Sequence, residues 1–149
     1  LSSSSAASDV YKRQVHIPTL QNVFYMDIRF SDMDSQGHVH HEAMVGWIAH
    51  TRVSYINGVI DAIRVKNIDY TLVNLQIDFQ KQITFPGEAR LEVYVKRMGS
   101  KSLSLNYMLS KDKKKFAQAT SVSVFFDTNT NKTIPIPDLM RKVLALEIV

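Results

Sequence analysis

Phe24, Met26, Ile28 and Phe30 alternate with Tyr25, Asp27, Arg29 and Ser31, the period of two expected of a strand with one buried face. The run ends in SDMDSQG (31–37), where Asp, Ser and Gly supply turn chemistry and Gly37 can take a positive φ. From Glu42 the period changes. Met44, Ile48, Tyr55 and Val59 recur at spacings of three to four or their sum, with Val45, Ala49, Val53, Ile56 and Ile60 as an adjacent stripe. This predicts a helix over Glu42–Ile60 with a wide apolar face. Its only formal charges, Glu42 and Arg52, are too few for a half-solvated helix, so it is expected to be mostly buried. Asn57 and Gly58 tolerate the left-handed conformation and mark its stop.

The second half reads as strands. Val73, Leu75, Ile77, Phe79 and Ile83 alternate with polar residues until Pro86 and Gly87 close the run. Leu91 to Val95, Leu103 to Leu109 and Phe116 to Phe126 continue the period, separated by MGSK and KDKKK. Such short connections predict an antiparallel meander, because parallel strands need longer crossovers. The tail IPIPDLMRKVLALEIV opens with proline punctuation and ends as a short helix. The expected architecture is α+β: an antiparallel five-stranded sheet wrapped around one long buried helix. Its open edges favour pairing with a second copy, giving a homodimer or homotetramer.

Composition narrows the class. A chain of 149 residues suits one domain, and 45% hydrophobic with 21% charged residues is ordinary globular usage. No window approaches a membrane span and no apolar signal-peptide core precedes the domain. Zero cysteines remove disulfides, thiol catalysis and thiolate metal sites, and agree with a cytoplasmic location. The opening LSSSSAASDVYKRQ (1–14) changes abruptly into VHIPTL and resembles translated adapter sequence, so it is read as non-native and the domain as residues 15–149. Without it, 18 basic and 14 acidic residues lose Lys12, Arg13 and Asp9, leaving 16 against 13, a net +3. The basic runs VKRMGSK and KDKKK flank strands without interleaved aromatics, so no nucleic-acid partner is expected.

The candidate chemistry sits where the first strand meets the helix. Asp34 lies three residues before Gly37, beside the helix start at His40 to Glu42. A first helical turn carries N–H groups without intrahelical partners and a partial positive charge, so it can hold a carbonyl oxygen as negative charge develops there. A carboxylate beside it could attack an acyl carbon or deprotonate a water that does. A thioester suits one carboxylate, because a thiol of pKa about 8.5 departs without strong protonation. The alternative for Asp34 is an Asx-turn, and Asp32 is expected to organise the turn. Four histidines, His38, His40, His41 and His50, raise a metal site, but no H-E-x-x-H occurs. Instead His38 is expected to give a loop-stabilising hydrogen bond, and His40 and His41 a wet helix start. Trp47 is read as core or as lining of an acyl pocket. No G-x-S-x-G elbow, P-loop or Rossmann fingerprint appears.

On these residues the chain resembles the 4-hydroxybenzoyl-CoA thioesterase-like branch of the hotdog-fold acyl-CoA thioesterases, over nearly all of residues 22 to 143. Asp32, Asp34, Gly37, His38 and Val39 match the family motif D-x-D-x-x-G-H-V-N-N. RVSY in the helix, IDFQKQITFPGEARLEV, VKRMGSKSLSLNY and ATSVSVFFDTNTNKTIPIP match later landmarks. The resemblance implies an acyl-CoA or acyl-carrier-protein thioesterase, with Asp34 as the catalytic carboxylate and the backbone N–H of His41 as oxyanion donor. It implies Gly37, His38, Val39, His40 and Trp47 around the substrate, and Arg97, Ser100 and Lys101 near the CoA phosphates. No cofactor is needed, since coenzyme A belongs to the substrate. The chain departs from the family where His40 and His41 replace an Asn pair, where Met44 replaces an aromatic, and where His50 and Thr51 stand in place of an acidic residue ahead of Arg52. A non-catalytic acyl-thioester binding protein is the alternative. An enoyl-thioester hydratase ranks last, because Val39 stands where its histidine would be.

Overall fold

The computed structural model describes residues 20–148; residues 1–14 lie outside them. In chain order come β1 (Val23–Asp27), a 3-10 turn (Phe30–Asp32), α1 (His41–Ile63), β2 (Ile68–Phe79), β3 (Glu88–Met98), β4 (Ser102–Lys111), β5 (Lys114–Asp127) and α2 (Asp138–Ala145). The five strands form one antiparallel sheet in the order β1-β3-β4-β5-β2. This is the hotdog arrangement, a sheet curled about a long helix.

The inner face follows from the period-two pattern. Ala89, Leu91, Val93 and Val95 of β3, Leu103, Leu105, Tyr107 and Leu109 of β4, and Ala117, Ala119 and Phe125 of β5 are all buried. Helix α1 lies against β3 and α2, covering them with Met44, Trp47, Ile48, Tyr55, Ile56 and Val59. Each large apolar side chain so buried contributes about 1.5–3 kcal/mol.

Three expectations change. Strand β1 stops at Asp27: Ile28 is still buried, but Phe30 is 78% exposed. The Ile28 N–H goes to the Gly87 carbonyl (2.8 Å), and the Asp32 carboxylate accepts the Arg29 N–H (2.8 Å), which closes the chain into the 3-10 turn. Helix α1 runs through Asn57 and Gly58 to Ile63, and Arg64 takes the left-handed cap at φ 57°. Burial of Val59 and packing of Ile60, Ala62 and Ile63 on the core outweigh the roughly 1 kcal/mol that an interior glycine costs. The helix is also less buried than its pattern implies, since Val45 and Val53 are exposed.

The third change is topological. Only β3, β4 and β5 form a meander; β2 pairs with β5 at the far edge. Residues 80–87 therefore cross the end of the sheet instead of making a hairpin. Part of their polar backbone is bonded along the way. The N–H groups of Gln80 and Lys81 both donate to the Phe116 carbonyl (2.9 and 3.1 Å), and the Thr84 and Gly87 carbonyls accept from Lys111 Nζ and from the Ile28 N–H. The Ile83 carbonyl accepts the Val39 N–H at 2.9 Å. That last bond brings the crossing segment to the start of α1.

Candidate active site

The loop 33–40 is built around Asp34. Its backbone N–H donates to the His38 carbonyl (2.7 Å), and its carbonyl accepts from Gly37 (3.2 Å). Gly37 sits at φ +82°, a conformation that side chains resist. The side chain closes the same loop: Oδ1 accepts the N–H groups of Gln36 (2.8 Å) and His38 (2.9 Å). Both bonds fall on one oxygen. Among the described residues, Oδ2 has no hydrogen-bond partner. The His38 N–H, with help from Gln36 and against some desolvation, holds the carboxyl below its usual range. Asp34 is therefore ionised at neutral pH.

Asp32 does the structural work of the turn, buried and bonded to the Arg29 N–H and guanidinium while its carbonyl takes the His40 N–H (2.8 Å). The His38 imidazole does not give the expected loop bond. Its Nδ1 is buried without a partner among the described residues, and the loop is held by the His38 backbone. His40 is the N-cap of α1 at φ −60°, ψ 144°, with no side-chain cap, so the N–H groups of the first turn, beginning at His41, are not taken by a capping side chain. The His41 ring stacks on Phe79 at 4.0 Å between centroids.

Two adjoining clefts meet at this helix start. One, of about 230 Å³, is lined by Asp34, His38, Val39, His40, His41, Glu42 and Gln82. The other, of about 310 Å³, is lined by Val39, His41, Met44, Phe79 and the run Gln80 to Gln82. Val39, His41 and Gln82 belong to both. A carboxylate, the positive end of a helix and an apolar wall thus lie together, a combination able to receive an acyl carbonyl and its substituent.

The expected residues divide into three groups. Asp34, His38, Val39, His40 and His41 line one cleft, with Gly37 in its loop. Trp47 is buried and opens instead on a separate groove with Tyr25, Asp32 and His50. Arg97, Ser100 and Lys101 lie around the β3–β4 turn, where the Ser100 carbonyl accepts from Ile136 and Arg141. Neither cleft at the helix start has any of these three among its lining residues. One protomer does not bring this turn to the cleft. Phe79, Lys81 and Gln82 escaped the sequence reading, because in a strand-like alternation Gln82 is merely an outward polar position. Among the described residues no three His, Asp or Glu side chains converge as a metal-ligand set. The largest recess, about 1030 Å³, is a broad open trough on the sheet's other face, lined by charges such as the bonded Arg90 and Glu92. It contains nothing of the helix start.

The chain belongs to the thioesterase-like superfamily, whose family model matches residues 28–144. No curated protein matches it in sequence. Among solved structures, it is similar to a predicted thioesterase from Bacillus stearothermophilus at TM-score 0.76 and 20% identity, covering 86% of this chain and 96% of that one. It is similar also to a gentisyl-coenzyme A thioesterase (TM-score 0.70, 18% identity, 82% and 98% coverage). A DHNA-CoA thioesterase from Staphylococcus aureus matches at TM-score 0.70 and 18% identity, with 84% and 91% coverage. At these identities the likeness is one of fold. No helix among the described residues is long and apolar enough to cross a membrane.

Proposed function

We propose that this protein hydrolyses an acyl-CoA or acyl-carrier-protein thioester to a carboxylic acid and a free thiol. The observation that carries the reading is the division of labour within Asp34: Oδ1 is tied to two backbone N–H groups, and Oδ2 has no partner in a cleft that contains the start of α1. The carboxylate is thereby fixed and ionised yet has an oxygen to spare. Asp34 acts either as nucleophile, forming an acyl anhydride that water then cleaves, or as general base toward water. The His41 N–H stabilises the oxyanion. CoA thioesters as substrates are in keeping with superfamily membership and with the named activities of the gentisyl-CoA and DHNA-CoA thioesterases of the same fold.

A second copy completes the picture. Edge strand β2 exposes Leu72, Val73 and Phe79, and α1 exposes Val53. The Tyr70 hydroxyl bonds Asn57 Oδ1 at 2.7 Å, tying β2 to that part of α1. An apolar strand edge beside exposed helix valines suits a homodimer or homotetramer.

Thiol release from short, long and aromatic acyl-CoAs, followed with a thiol-reactive dye, tests the proposal on wild type and Asp34→Asn together. The protein has no cysteine and is silent in this assay. Turnover by wild type that falls about 10²–10⁴-fold in the variant is expected. Saturable acyl-CoA binding with no turnover by wild type would instead establish the binding-protein reading.

A further inference from the structure

Gln82 lies on the wall shared by the two clefts, and its carboxamide has no hydrogen-bond partner among the described residues. Its backbone neighbours are nevertheless fixed. On one side the Lys81 N–H is bonded to Phe116; on the other the buried Ile83 gives its carbonyl to the Val39 N–H, two residues before α1 begins. Gln82 itself is exposed, so this fixed stretch of backbone carries at the cleft wall an amide that is free to meet something entering the cleft. The partition of the walls says which part of a ligand that is. Met44 and Phe79 line only one cleft and suit an apolar acyl group, whereas Asp34 lines only the other. A thioester whose carbonyl carbon is within reach of Asp34, and whose acyl group lies against Phe79, must place that carbonyl at the wall made by Val39, His41 and Gln82.

Resting on the thioesterase reading, we infer that Gln82 is a second oxyanion donor, its side-chain N–H acting with the backbone N–H of His41. As an oxygen of Asp34, or of a water whose proton Asp34 takes, adds to the carbonyl carbon, the C=O π pair moves onto oxygen. Gln82 and His41 donate to that oxygen. Collapse returns the pair to re-form C=O, and the C–S pair leaves with sulfur as thiolate. Two donors aimed at the same oxygen are worth more in the transition state than in the ground state, because the charge they meet exists only there.

The test compares wild type, Gln82→Leu and Gln82→Glu on the acyl-CoA that wild type turns over fastest. Leucine keeps the bulk without a donor; glutamate places a charge against the oxyanion. Gln82→Leu is expected to lower kcat about 10²-fold, the scale seen on removing one oxyanion donor, with KM changed little, and Gln82→Glu to lower it at least as far. An S-alkyl-CoA thioether, which has no carbonyl oxygen, is expected to bind wild type and Gln82→Leu alike. Unchanged kcat in Gln82→Leu, or a loss of thioether affinity matching the loss of turnover, would overturn the inference while leaving the thioesterase reading intact. Failure of wild type to hydrolyse any thioester would overturn that reading, and this inference with it.

Discussion

The carboxylate of Asp34 and the backbone N–H of His38 are joined at 2.9 Å, and this bond is the largest cause of the lowered pKa of Asp34. The same contact closes the loop and keeps the carboxylate charged. The loop bonds fall on Oδ1 and leave Oδ2 without a partner among the described residues, which is why an Asx-turn role and a catalytic role for Asp34 do not compete.

The acid limb of the pH–rate profile follows. A depressed folded-state pKa means the carboxylate stays ionised until the pH falls below the ordinary Asp value of about 3.9. Hydrolysis is expected to hold its rate on the acid side down to that region. The sign for stability is the same: the Asp34 contribution is present above the unfolded pKa and is lost as pH falls through the folded one. A wild-type rate that already halves near pH 6 would assign the limb to another group.

His41 offers a sharper dissection, because it is the first residue of α1 and follows His40 at φ −60°, ψ 144°. Proline is tolerated at that position, and its preceding residue already has the extended geometry proline requires. His41→Pro should thus keep the helix while deleting the N–H, lowering kcat about 10²–10³-fold. His41→Ala keeps the N–H and loses only the stack on Phe79; such a contact is worth about 0.5–1.5 kcal/mol, at most roughly tenfold in rate. Circular dichroism confirms the helix, and equal losses in the two variants would show that the ring, not the N–H, matters.

Much of this was legible in the chain itself. The alternation through β3, β4 and β5 and the change of period at Glu42 locate the sheet and the helix, because burial on one face writes its period into the sequence. The loop carboxylate and its glycine are legible for a similar local reason. Three things were not. The place of β2 at the sheet's far edge depends on where residues 80–87 travel, and short-range pattern carries no record of that path. Phe30 continues the strand's alternation in sequence but is turned out by backbone bonds at Ile28 and Arg29. Gln82 reaches the site only through the crossing segment, so no spacing from Asp34 announces it.

The β2 edge makes the assembly testable. Val73 is 55% exposed and lies at a register break between Leu72 and Asn74, where a charge costs the isolated protomer little. Val73→Arg is expected to shift wild-type dimers toward monomers in sedimentation velocity without lowering helix content. A monomeric wild type, or an unchanged oligomer in the variant, would move the interface away from this edge.

Two buried tyrosines give opposite expectations for the same substitution. Tyr107 shares its hydroxyl with Ser121 Oγ at 2.7 Å, whereas the Tyr55 hydroxyl, equally buried, has no hydrogen-bond partner among the described residues. Tyr107→Phe removes a bond and leaves Ser121 unpaired, costing about 1–3 kcal/mol; Tyr55→Phe removes a polar atom that gains little from its surroundings and should be neutral or slightly stabilising. Alkali adds a second handle. Burial pushes the Tyr107 hydroxyl up to about 12, and that of Tyr55 higher still. A raised folded-state pKa gives stability that is complete below the unfolded value of about 10 and declines as pH climbs toward the folded one, because only the unfolded chain ionises in that window. Tm should therefore drop from pH 10 to 12 in wild type, and less steeply in Tyr107→Phe. Parallel pH slopes in the two proteins would show that this hydroxyl does not carry the alkaline transition.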